Sequence, residues 1–476
     1  MILSVDLGTT NLKIAFFDSH GDISEKRSAP LNIQASIKSE LIIAEQKPNE
    51  WIETLIYLLK NLNDRSKKEV EAIAITGQST SVVLADEKGL PLLNAILHMD
   101  SRSEEYFNYI KNIIGRVPSF PEVKLFGLLY WVKDRQPEIF YRVRKVFDAR
   151  QYILYKLSQE HMYDSYAFNH NTLRRVSSDL DLEPDIFGRP HDFFTPAGYL
   201  SKDVALETGL PPELPIFVGP WDGMCDIIGS GLSREDEFMD VAGTTEIMAM
   251  IFSNRNSLVT HEYIIPGRWI VYRSFPLGVS HRWLAERFFS LQGGVLTDDA
   301  YTFMDQLAAR AKDSEVFFYP YFFGAYLKPY LRGLILGLTY ELGLPEVIKS
   351  LYLTSAFIVR SVLEEISEAT SAEVARIIGG GGGYRSRLWA QIKADVLERP
   401  IHILQVLDTA LLGAAILAYT NLGYYKNLAE AQSQMIKVKD VVFPNLDAEK
   451  KYQRLYLKFK EFSGKIESLL EAIYYE

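Results

Sequence analysis

Ile2-Leu3-Ser4-Val5-Asp6-Leu7-Gly8-Thr9-Thr10 and, much later, Phe238-Met239-Asp240-Val241-Ala242-Gly243-Thr244-Thr245 follow one plan: an apolar strand that ends in a Gly-Thr-Thr turn. Each turn leads into a second apolar run, 12–18 in the first case, where Gly21 closes a hairpin, and 247–252 in the second. Strand, small turn and strand in both halves read as a structural duplication. A chain of 476 residues is too long for one ordinary core. Two α/β domains are therefore expected, 1–232 and 233–476, with the boundary in the charged stretch 232–237.

Between these strands the pattern alternates. Apolar spacing near three and four predicts helices over 48–61, 106–114, 124–133 and 150–157. Residues 70–75 return to a buried strand that ends at Thr76-Gly77-Gln78, and 215–219 form another that runs into Pro220-Trp221-Asp222-Gly223. In the second half, 350–369 is a long amphipathic helix and 374–378 a strand. Five glycines follow at 379–383, then helices over 386–397 and 409–418. The stretch 448–475 is read as an end helix packed over the second domain.

The formal net charge of -10 argues against general nucleic-acid binding, which relies on clustered Lys and Arg. One cysteine, Cys225, forms no intrachain disulfide and fits a reducing compartment, so a cytoplasmic location is expected. The start lacks the basic and apolar regions of a secretory signal. The run 409–418 falls short of the roughly 20 residues a bilayer crossing needs. Neither a nucleic acid nor a membrane is an expected partner.

The polar residues cluster at the strand ends. A glycine flanked by threonines lets backbone N–H groups and hydroxyls approach phosphate oxygens, although hairpins use the same residues. Asp6 can cap its turn or orient a magnesium-bound water. Asp222 can accept a proton from a hydroxyl or serve as a helix N-cap. The glycines at 379–383 offer bare backbone to a flat base, or a hinge. Neither a Gly-Lys-Ser/Thr phosphate loop nor a dinucleotide fingerprint is present. His98, His170 and His281 read as ordinary packed or surface residues.

Taken together these segments resemble the FGGY family of carbohydrate kinases, within the actin-like ATPase superfamily, over nearly the whole chain. The similarity rests on Asp6-Leu7-Gly8-Thr9-Thr10, Thr76-Gly77-Gln78, Asp100-Ser101-Arg102, the 218–231 segment, Val241-Ala242-Gly243-Thr244-Thr245, and the glycine run with Trp389, Gln391 and Ala394-Asp395-Val396. The resemblance implies an α/β fold of two RNase H-like domains with an interdomain cleft, in which ATP and a sugar meet. It implies Asp222 as general base and Asp6 as the residue that positions Mg2+. Gly8, Thr9, Thr10, Gly243, Thr244 and Thr245 would contact phosphates, and Gly381, Gly382 and Ser386 the adenosine. Gln78, Ser79, Thr80, Asp100 and Arg102 would stand near the sugar, and a homodimer is the implied assembly.

The expected reaction is ATP-dependent phosphorylation of a ketopentose or ketohexose. A polyol or sugar acid is the alternative substrate, and a non-kinase nucleotide-binding protein or sugar-sensing regulator the alternative of another class. Three positions depart from the family pattern. Gly324-Ala325-Tyr326 replaces a charged loop, Glu246 follows the second phosphate turn where a carboxylate would repel phosphate unless it points away or meets the metal, and Tyr384 stands where a small residue is usual. Tyr384 is expected to stack on the base or to fill space beside it.

Overall fold

Strand β1 (Ile2–Leu7) is buried at every residue, as a central strand covered on both faces must be. The computed structural model describes residues 1–38, 41–289, 298–322, 328 and 330–475. The chain divides into one unit of Met1–Gly229 with Ala410–Met435 and another of Ser230–Thr409 with Ile436–Glu476.

In the first unit β1 joins β2 (Asn11–Phe17), β3 (Ile23–Pro30), β4 (Ala72–Gly77), β5 (Gly198–Tyr199) and β6 (Pro215–Val218) in the order β5-β6-β4-β1-β2-β3. β1, β2 and β3 form an antiparallel meander. β4 and β6 run parallel to β1 on its other side. Their carboxyl ends therefore share one edge, the place where open α/β sheets carry their ligands. The helix Pro48–Lys60 buries Trp51, Leu55, Leu58 and Leu59, the i, i+4, i+7, i+8 stripe that its sequence shows.

A second sheet in this unit orders the strands Gln34–Lys38, Leu41–Gln46, Ala95–Ile96, Val82–Ala85 and Lys145–Asp148. Helix α1 (Ala149–Ser158) starts directly after it, capped by Asp148, whose Oδ1 accepts from Gln151 N at 2.9 Å. Helix α2 (Asp222–Ser230) follows β6.

The second unit repeats the plan. Its strands are β7 (Glu237–Ala242), β8 (Glu246–Phe252), β9 (His261–Glu262), β10 (Trp269–Phe275), β11 (Arg376–Gly380), β12 (Ile401–Leu404) and β13 (Val438–Val442), in the order β9-β10-β8-β7-β11-β12-β13. β7 and β8 are antiparallel, β7, β11 and β12 are parallel, and β13 closes the edge antiparallel to β12. This matches β1, β2, β4, β6 and β5 strand for strand, so the duplication read from two short turns extends through both sheets.

Helix α3 (Leu344–Thr370) begins before the stretch that periodicity marks, because Glu346 caps it by accepting from Gly343 N at 2.8 Å. Helix α4 (Arg387–Leu397) is capped by Ser386, whose Oγ accepts from Trp389 N at 3.0 Å. Helix α5 (Thr409–Asn421) packs against α2 in the first unit so closely that a Cβ on Gly413 would lie 1.9 Å from the Cys225 carbonyl oxygen. In the end helix, Glu449–Tyr475, residues Tyr452, Leu455, Tyr456 and Phe459 join the core of the second unit, as expected. Among the described residues no helix is long and apolar enough to cross a membrane.

Candidate active site

At the shared edge of β1, β4 and β6 the strand register sets Asp6 beside Thr76 and Leu7 beside Gly77, with Val218 next to Ile75 on the far side. Asp6 also faces Lys13 across the hairpin. Thr9 and Thr10 are buried. A Cβ on Gly77 would meet the Leu7 carbonyl oxygen at 2.7 Å, so close strand approach requires glycine there.

A buried amide relay ties the first turn to the Gln78 segment. Gln46 Nε2 donates to the Thr9 carbonyl at 2.8 Å, Gln78 Nε2 donates to Gln46 Oε1 at 3.1 Å, and Ser81 Oγ donates to Gln78 Oε1 at 2.9 Å. Gln78 and Thr80 are buried, and Ser79 is partly exposed. Asp100 and Arg102 form a buried ion pair, with Arg102 Nη2 at 2.7 Å from Asp100 Oδ2 and 2.7 Å from Glu45 Oε1. Asp100 Oδ2 also accepts from Ala44 N at 2.8 Å, and the Arg102 guanidinium lies 4.9 Å from the Trp131 ring centre. These two residues brace each other against the second sheet.

Asp222 opens α2 and is partly buried. Its Oδ1 accepts from Gly223 N at 2.9 Å, while the amides of Met224 and Cys225 donate to the Trp221 carbonyl. The helix is thus started by the Trp221 backbone rather than by the Asp222 side chain acting as N-cap. Burial raises the pKa of Asp222, and the Gly223 N–H and the charges of Arg150 and Lys13 draw it back.

In the second unit the Gly243-Thr244-Thr245 turn connects β7 and β8. Val279 N donates to the Thr244 carbonyl at 2.9 Å, and a Cβ on Gly278 would lie 1.9 Å from the Gly243 oxygen. The five glycines are not one loop. Gly379 and Gly380 lie inside β11, where a Cβ on Gly379 would meet the Tyr384 ring at 2.8 Å. Gly381 turns the chain with φ +81°, its missing Cβ directed at the Ala242 carbonyl 2.6 Å away, and Gly382 begins a short turn that ends at Arg385. Ser386 Oγ also donates to Asp305 Oδ1 at 2.9 Å.

Tyr384 fills space: it is buried, and its hydroxyl donates to Asp240 Oδ2 at 2.5 Å. Glu246 points into the unit rather than toward its turn. It is fully buried, accepts from Ser355 Oγ at 2.8 Å, and pairs with Lys393, whose Nζ also lies 2.5 Å from Asp240 Oδ2. Burial, opposed by Lys393 and reinforced by Asp240, pushes the Glu246 carboxyl up to about 7. The phosphate repulsion expected of this residue is removed by where its side chain goes. Gly324-Ala325-Tyr326 lies outside the described residues.

His281 packs among the rings of Tyr301, Tyr352 and Trp389, and burial lowers its pKa to about 4. His98 is likewise lowered to about 4, by burial and by the Lys124 charge. Both fit the reading as packed residues.

Two cations escaped the sequence reading. Arg150, 1% exposed, donates to the carbonyl of Gly219, just past β6. Lys393 sits on the buried face of α4 among Trp389, Val396 and Leu397. Each had a signal: a lone cation at a helical position otherwise apolar, which burial permits only with carboxylate partners.

Models of the FGGY family of carbohydrate kinases match residues 1–229 with the N-terminal domain and 241–422 with the C-terminal domain. The chain is 27% identical to a xylulose kinase of Staphylococcus epidermidis over 100% of this chain and 96% of that one. It is 24% identical to a gluconokinase of Bacillus subtilis over 98% and 96%. The ligand-bound xylulose kinase of Lactobacillus acidophilus superposes with a TM-score of 0.79, at 18% identity and 98% coverage of both chains. Two matched sheets with glycine turns at corresponding strand ends, and both domain models in order along the sequence, make this chain a member of the FGGY family of carbohydrate kinases, an ATP-dependent enzyme of two RNase H-like units.

Proposed function

We propose that the enzyme transfers the γ-phosphoryl group of ATP to a hydroxyl of a ketopentose or ketohexose, with Asp222 as general base. The observation that carries this reading is the shared edge of β1, β4 and β6, where Asp6, the Gln78 segment and the approach to Asp222 lie at adjacent strand ends. Asp222 takes the hydroxyl proton, the oxygen attacks the γ-phosphorus, the bond to the bridging oxygen breaks, and ADP leaves. The raised pKa of Asp222 suits a base that must hold that proton.

Gly8, Thr9, Thr10, Gly243, Thr244 and Thr245 are assigned to the phosphates, and Gly381, Gly382 and Ser386 to the adenosine. Among the described residues no three His, Cys, Asp or Glu side chains are grouped to hold a metal. Asp6, a buried carboxylate at the end of β1, is of the donor type that Mg2+ takes while keeping most of its waters. Asp6 would hold it, and the ion would neutralise phosphate charge during transfer.

The charge pattern supports a neutral substrate. Arg102 is paired with Asp100 and Glu45, Lys124 with Glu104, and Arg150 with Asp148 and Asp164. These cations are already neutralised, which supports a neutral polyhydroxy substrate over a sugar acid beside the partly exposed Ser79. The full-length similarity to a xylulose kinase supports this reading, and that to a gluconokinase keeps the sugar acid as the second one. The buried, unbridged thiol of Cys225 fits a reducing cytoplasm. An ADP-release screen over ketoses, aldoses, polyols and sugar acids tests the proposal: highest kcat/KM is expected on a ketose, and a preference for gluconate would overturn the charge argument.

A further inference from the structure

We infer that Arg150 is a positioning residue for phosphoryl transfer, fixing the strand end that carries Asp222 and setting the charge around it. The inference rests on the reading of Asp222 as the base. Gly219 follows β6 directly and stands three positions before Asp222 in the sequence. Its carbonyl accepts from Arg150 Nη1 at 2.8 Å, and its amide donates to the Ile75 carbonyl at 2.8 Å. The next carbonyl, of Pro220, accepts from Thr76 Oγ1 at 2.9 Å and from Cys225 Sγ at 3.5 Å. The backbone leading to Asp222 is thus gripped by β4 on one side and by α1, through Arg150, on another.

The guanidinium is itself held on every side. Nε donates to Asp148 Oδ2 at 3.1 Å, and Nη2 donates to Asp148 Oδ2 and, at 3.2 Å, to Asp164 Oδ2. Each aspartate is fixed by backbone amides through its other oxygen: Asp148 by Gln151 N, and Asp164 by Tyr166 N at 2.9 Å and Ala167 N at 3.1 Å. The fork is therefore oriented before any substrate arrives, which a lysine could not reproduce. Such a buried cation, directed at one carbonyl by two anchored carboxylates, does more than fill a core.

The second effect is electrostatic. Arg150 from α1 and Lys13 from β2 favour ionised Asp222, against its burial. Among the carboxylates of this region, Asp148 and Asp164 pair with Arg150, Asp226 lies on α2 itself and Asp6 ends β1. Removing the Arg150 charge raises the pH at which Asp222 loses its proton, and with it the acid limb of the kcat/KM profile.

Two variants separate position from charge. Arg150→Lys keeps a cation but not the fork: kcat falls about 10-fold, KM for ATP and sugar stays near the parent value, and the acid limb does not move. The double variant Arg150→Met with Asp164→Asn leaves Asp148 as the single carboxylate of the cluster, still held by the Gln151 amide, and its acid limb rises by about one pH unit, since Arg150 is the charge that acts on Asp222. Full kcat in Arg150→Lys, or an acid limb that stays in place in the folded double variant, overturns the inference. Asp222→Asn, run alongside, tells the two ideas apart. If it is inactive while both Arg150 tests come out negative, only the Arg150 inference fails; if it turns over normally, the base assignment fails and takes the inference with it.

Discussion

The two Gly-Thr-Thr turns stand at the same point in two sheets of the same strand order, yet they are braced by different chemistry. Beneath the first, a neutral relay of Gln46, Gln78 and Ser81 holds the turn, and Asp6 precedes it. At the second, Val241 occupies the position of Asp6, and an ion cluster of Lys393, Asp240 and Glu246 links the strands on either side of the turn. Corresponding neighbours also diverge: Gly77 leads into the polar Gln78-Ser79-Thr80, whereas Gly381 leads into more glycine. The lesson is that the sheet is a shared frame, and the side chains at its carboxyl edge divide the work. One unit places carboxylates there, and the other clears side chains away.

The largest effect expected from this contrast is on folding. Lys393→Met strands Asp240 and Glu246 in a fully buried site and should cost about 3–5 kcal/mol in denaturant unfolding; an unchanged midpoint would mean the ammonium does not brace the turn. Next comes Asp6→Ala, expected to lower turnover about 10- to 100-fold at limiting Mg2+ while leaving sugar binding intact. Turnover with the parent Mg2+ dependence would remove the distinction between Asp6 and Val241.

Gly77→Ala and Gly381→Ala sharpen the comparison, since each places a Cβ against the carbonyl of an equivalent residue, Leu7 or Ala242. Gly381→Ala, also at positive φ, should cost about 1–3 kcal/mol and raise KM for ATP, whereas Gly77→Ala should act on KM for the sugar. The same KM responding in both would break the division of labour.

The last effect concerns pH. Glu246 holds its proton in the folded state up to about 7, against 4.5 for an ordinary glutamate. Between those values the folded chain binds more protons than the unfolded one, so this residue makes stability decline as pH rises through that window. Glu246→Gln should flatten that decline in unfolding measured across the same range.

What the sequence made legible follows from how local each signal is. The turns, the end of β4 and the Trp221-Asp222-Gly223 junction are marked by neighbours in sequence, and so is the helix stripe of Trp51 and Leu55. Glu246 was opaque because its partner Lys393 lies 147 residues away. Arg150 was opaque because only Asp148 is near it in sequence, while Asp164 and Gly219 reach it through the fold. The glycine run misled in one respect, since periodicity cannot tell glycines that let a tyrosine pack inside a strand from glycines that make a turn. Buried charge networks are non-local by nature, and they are what distinguishes two units built on one frame.

Proton removal from the acceptor hydroxyl by Asp222 stands or falls on sugar-dependent ADP release in Asp222→Asn, run beside calorimetric ATP binding. A fall of about 10²- to 10⁴-fold in turnover with ATP affinity unchanged is the predicted result. Sugar-dependent release at the parent rate would contradict it.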